Sequence, residues 1–186
     1  MHIPHSSRFG KKIQIIQPGE LHVSQDDDMI GTMLGSCVSV CLHDPVKKIS
    51  GMNHFMLPGR IVQADILSDR SARYGVTAIN ELLLRMEKCG AERKHMTAKV
   101  FGGGNVIPAM RDTNTIPFDN VRLARLMLEI EDIPIDEMVV GGTYARKIIM
   151  EVVTGTVFMK SITKSDVLEQ IKEKEYRYVK GSLVAV

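Results

Sequence analysis

No apolar run in the 186 residues approaches the roughly eighteen needed to cross a bilayer. The opening stretch, Met1 to Arg8, lacks both the apolar core and the small-residue cleavage site of a secretion signal. Neither sign of charge dominates, since 24 basic and 22 acidic residues leave a formal charge of +2. That balance withholds the counterion release that drives nucleic-acid binding, leaving only a local basic patch to supply it. Cysteine is scarce. Cys37, Cys41 and Cys89 form an odd, sparse set, which is the usage of a reduced, cytoplasmic protein and not of a disulfide framework. Nothing repeats at a fixed period, and no segment is of low complexity.

What is present is ordinary globular material, 44% hydrophobic and 25% charged. A chain of this length suits one domain and can bury about 70% of its unfolded surface. Short alternating runs at Ile13–Ile16, Leu21–Val23, 29–34, Val38–Leu42 and Ile49–Leu57 predict strands, punctuated by Pro18-Gly19, Gly35, Asp44-Pro45 and Pro58-Gly59. Residues 60–72 read as a surface loop. Val76, Ile79, Leu82, Leu83 and Met86 share one face of a helix that stops at Gly90. A second helix is expected over 119–131, with Val121, Ala124, Leu128 and Ile130 near its apolar stripe. Thr97–Phe101, Ile133–Val140 and a hairpin of Lys147–Val153 with Thr156–Lys160 supply further strands, and Ser165-Asp166 can cap a short helix through Glu173. Strands without regular alternation with helices predict an α+β fold, a single-domain layered sandwich of mostly antiparallel or mixed sheets with two or three helices packed outside.

The chemistry concentrates on Cys37 and His54, seventeen positions apart. If 38–43 pairs with 48–56 through the turn at Asp44-Pro45, the start of one strand lies beside the end of the next. A thiol then sits next to an imidazole able to take its proton. The plainer alternative is a cysteine buried as a small hydrophobe and a satisfied core histidine. Cys41 and Cys89 read as structural, and a zinc site from Cys37, Cys41, His43 and His54 lacks a second pair at zinc-like spacing. Gly102-Gly103-Gly104 lacks both the P-loop lysine and a dinucleotide fingerprint, so it reads as a tight strand exit where another backbone passes close. Asp26-Asp27-Asp28 lacks the spacing of a calcium loop.

Leu34-Gly35-Ser36-Cys37-Val38-Ser39-Val40-Cys41-Leu42, followed by Gly51-Met52-Asn53-His54-Phe55-Met56-Leu57-Pro58, closely resembles the CheD family of bacterial chemoreceptor glutamine deamidases. The likeness continues through Lys99–Gly104, Asn120, Gly141-Gly142 with Arg146-Lys147, and Thr154-Gly155. It implies a deamidase domain over 20–163, preceded by a polar leader and short strand (1–19) and followed by a charged extension (164–186). It also implies hydrolysis of receptor glutamine side chains to glutamate through a thioester, with Cys37 as nucleophile and His54 as general base and acid. Backbone N–H groups around Ser36 and Cys37 would receive the oxyanion. The family's third member, a threonine, falls in strict register on Gly31. Either Thr32, through a small backbone shift, or a main-chain carbonyl would then orient His54. No metal or organic cofactor is implied, nor any nucleic acid or membrane insertion. The partners implied are methyl-accepting chemotaxis receptors and a competing CheC-type phosphatase. Two other readings share these residues: a non-catalytic chemotaxis binding module, and a thiol protease or acyltransferase.

Overall fold

The computed structural model describes residues 10–57, 72–107 and 115–162, together with Glu173. The expected loop at 60–72 lies, but for its last residue, outside them, as does the expected helix from Ser165 apart from Glu173. Nine strands and two helices run in the order β1 (Ile13–Ile15), β2 (Leu21–Ser24), β3 (Met29–Leu34), β4 (Val38–Asp44), β5 (Ile49–Asn53), α1 (Ala72–Lys88), β6 (Thr97–Gly102), α2 (Ile116–Ile130), β7 (Ile135–Val140), β8 (Ala145–Glu151) and β9 (Val157–Ile162) among the described residues. They form two mixed sheets, β1-β3-β8-β9 and β2-β5-β4-β6-β7. The expected α+β layering is what the chain adopts. Most pairs are antiparallel, while β1 with β3 and β6 with β7 are parallel.

The layers follow from strand alternation. On β4, Val38, Val40 and Leu42 turn to one side and pack with Ile79, Leu82, Leu83, Leu123, Ala124 and Leu128 of the helices. Each valine, leucine or isoleucine of this set, fully buried, contributes about 2 kcal/mol. Cys37 and Cys41 turn the other way, and there they meet Ile30, Leu34, Phe101, Ile148 and Met150 between the sheets. The order is therefore helices, five-stranded sheet, four-stranded sheet. Helix α1 lies on β2 and β5, and α2 lies on β4 and β6. No helix among the described residues is long and apolar enough to cross a membrane.

Two boundaries that differ from expectation have a local reason. Helix α2 begins three residues early because Pro117 suits the first helical turn. Its buried stripe is Asn120, Leu123, Ala124, Met127 and Leu128, while Ile130 is exposed. Strand β5 ends at Asn53 and not at Leu57. There the Asn53 side chain, not its backbone, accepts the Val40 N–H (2.9 Å), and Ser39 Oγ donates to the Asn53 carbonyl (2.6 Å). A side chain has replaced the ladder bonds one residue before His54.

Candidate active site

Beyond that interruption the two strands touch once more. Val38 and Phe55 exchange both backbone hydrogen bonds at 2.9 Å. This bridge places Cys37 opposite Met56, with His54 on the other side of Phe55. Val38 and Phe55 face the helices, so Cys37, His54 and Met56 share the face between the sheets, with Cys37 and His54 as diagonal neighbours. The chain also holds His54 from β2, since the His54 N–H donates to the Glu20 carbonyl (2.9 Å) and the Gly19 N–H donates to the His54 carbonyl (2.8 Å). A groove of about 470 Å³ opens beside this clamp, with Ile16, Gly19, Glu20 and Arg85 in its wall.

Thr32 arrives from the opposite sheet. Its hydroxyl donates to the Ile16 carbonyl at 2.9 Å and lies 2.8 Å from His54 Nδ1. With the hydroxyl proton committed to Ile16, Thr32 Oγ1 accepts from Nδ1–H, which leaves the lone pair on Nε2. The pleat decides between positions 31 and 32. Ile30 and Leu34 point between the sheets, so Thr32 does too, whereas a side chain on Gly31 would face away and meet Ile13 and Ile15. Both sequence alternatives enter one chain of contacts, the threonine touching the ring and a main-chain carbonyl holding the threonine.

His54 Nε2 is buried and has no hydrogen-bond partner among the described residues. Cys37 Sγ reaches Met56 Sδ at 3.7 Å, and Ser36 Oγ reaches the same sulfur at 3.3 Å. The structure thus joins Thr32 to His54 directly and sets Cys37 on the same face. Burial drives the His54 imidazole down to about 3. A neutral hydroxyl as its neighbour offers no opposite charge to resist that shift, so the ring is neutral near pH 7. Cys41 lies farther along the same face, and burial pushes its thiol up to about 12. Cys89 is exposed. Among the described residues no three His, Cys, Asp or Glu side chains gather as a metal-holding group.

The loop carrying Cys37 is pinned through three consecutive carbonyls. Gly104 N–H donates to Gly35 (2.7 Å), Asn120 Nδ2 donates to Ser36 (2.9 Å) and Gly103 N–H donates to Cys37 (2.8 Å). The glycine triplet is the close-passing strand exit expected of it. Gly102 has φ +116°, and a Cβ there would strike the Cys37 carbonyl. In the sequence Asn120 stands out only as part of the family likeness. An asparagine in register with Leu123, Ala124 and Met127 on a buried stripe was the available signal.

The family described as CheD chemotactic sensory transduction matches residues 56–161, a span that begins just after His54. A protein named "Probable chemoreceptor glutamine deamidase CheD 1" from Anaeromyxobacter dehalogenans is 38% identical over 154 residues, 82% of this chain and 87% of that one. Its namesake from Shewanella oneidensis is 40% identical over 176 residues, 93% of this chain and 84% of that one. The solved Bacillus licheniformis hypothetical protein YfiH is similar with a TM-score of 0.39 and 16% identity, over 64% of this chain and 50% of that one, too loosely to carry an argument. On the match of sequence over nearly its whole length, the chain belongs to the CheD family.

Proposed function

We propose that this chain is a protein-glutamine amidohydrolase that converts glutamine side chains of chemotaxis receptors to glutamate and releases ammonia. The observation that carries the reading is the Thr32–His54 contact at 2.8 Å, which leaves the lone pair on Nε2 on the face shared with Cys37. The names of the relatives supply the substrate class. Cys37 sulfur attacks the amide carbon while its proton passes to His54 Nε2. The negative charge gathers on the carbonyl oxygen, toward backbone N–H groups of Ser36 and Cys37. The C–N bond breaks as His54 returns the proton to the leaving ammonia, giving a thioester. Water, deprotonated by the same nitrogen, attacks the thioester, the C–S bond breaks, and glutamate and the Cys37 thiol are left. Thr32 keeps the ring in the tautomer this sequence needs. Because burial favours the neutral ring, the proton moves in step with attack and no resting ion pair is required.

Residues 20–163 would work as the deamidase domain, in the cytoplasm, on the cytoplasmic helical region of the receptor. A CheC-type phosphatase would compete for the same surface, as the family resemblance implies. The test is mass mapping of new glutamates on a receptor fragment. Cys37→Ala is expected to abolish conversion with an unchanged circular dichroism spectrum. Full conversion by that variant would sink the assignment of the nucleophile.

A further inference from the structure

We propose that Asn120 is a positioning residue for the oxyanion step, one that aims the Ser36–Cys37 peptide through its carbonyl. The inference rests on the deamidase reading above. Asn120 is completely buried, and both ends of its amide are used. Oδ1 accepts the Leu57 N–H at 2.8 Å, and Nδ2 donates to the Ser36 carbonyl at 2.9 Å. The two contacts fix which end is oxygen, because one partner can only donate and the other only accept. One side chain on α2 therefore ties the residue before Cys37 to a residue just past His54. No other side chain among the described residues bonds the backbone of both segments.

The consequence lies in the peptide plane. In a trans peptide the C=O of Ser36 and the N–H of Cys37 point in opposite directions. Holding the carbonyl toward α2 aims the Cys37 N–H away from it. The carbonyls on either side, Gly35 and Cys37, are held by Gly104 and Gly103 backbone donors, so no neighbouring peptide can turn in compensation. A backbone donor helps an oxyanion only if it is oriented before the charge develops. Asn120 supplies that orientation without touching the substrate.

Asn120→Asp isolates the effect. A carboxylate can still accept from Leu57 N–H, but it has no proton for Ser36 and repels its carbonyl. Protonated at lower pH, the same carboxyl can donate again. With receptor as substrate, kcat is expected to fall about 10²-fold at pH 8, with KM unchanged. The variant-to-wild-type ratio should climb as pH is lowered toward 5.5. Alkylation of Cys37 by iodoacetamide, which forms no oxyanion, should keep its wild-type rate. Wild-type kcat in Asn120→Asp across the pH range overturns the inference. So does a parallel loss of kcat, alkylation and melting temperature that no acidification reverses, since that marks a packing role. Wild-type protein that makes no glutamate sinks the deamidase reading and the inference together.

Discussion

Acid should destabilise this protein most strongly through the His54 imidazole, and the size of that effect follows from burial. His54 is enclosed, its Nδ1 faces a neutral hydroxyl, and the ring falls from the ordinary 6.5 to about 3. Once unfolded, the same ring takes a proton near its ordinary value. Between those two values the unfolded chain binds one more proton than the folded one. Stability that is complete above the unfolded value is therefore lost as pH falls toward the folded one. The whole interval corresponds to about 5 kcal/mol, at about 1.4 kcal/mol per pH unit, a sum that rivals the net stability of many domains. His54→Gln, with an amide that can still meet Thr32, removes the titration. Urea unfolding of both proteins at pH 7.5 and pH 5 should show wild type losing about 2 kcal/mol more than the variant. Half-buried His22 and His43, also lowered, and Asp28, raised, titrate in both proteins and cancel. Equal losses in the two proteins would refute the reasoning, because the ring would then be exposed enough to protonate without unfolding.

Two further outcomes are expected. Thr32→Val strips the Nδ1 partner and orphans the Ile16 carbonyl, so it should cost about 1–3 kcal/mol in urea unfolding. It should also lower kcat about 10²-fold by freeing the tautomer, while Thr32→Ser restores most of both. Gly102→Ala forces a Cβ onto the Cys37 carbonyl at φ +116°, which should cost at least about 2 kcal/mol and lower Cys37 alkylation with it. A calorimetric melting temperature equal to wild type would contradict it.

What could be read from the chain was what depends on near neighbours. The period of Ile79, Leu82, Leu83 and Met86 marked α1, and Gly90 marked its end. Alternation from Val38 to Leu42 marked β4, and the turn at Asp44-Pro45 implied its pairing with β5. Contacts between distant segments were not legible. Neither parallel pair leaves a local trace, because the register of β1 with β3, or of β6 with β7, is set by what each sheet buries. The ambiguity at Gly31 and Thr32 was of the same kind. Which of the two positions meets the His54 ring shows only when β3 is seen to face it. The early end of β5 depended on one asparagine bonding backward to Val40, a choice between side chain and backbone that hydropathy does not register.

The site straddles the join between the two sheets. Thr32 lies on a strand of one, while Cys37 and His54 each sit one residue beyond a strand of the other. On the proposed mechanism neither half of the molecule owns the chemistry, and secondary structure can persist in each after these three side chains have parted. Turnover becomes a gauge of tertiary closeness, sensitive to a loosening that leaves every helix and strand intact.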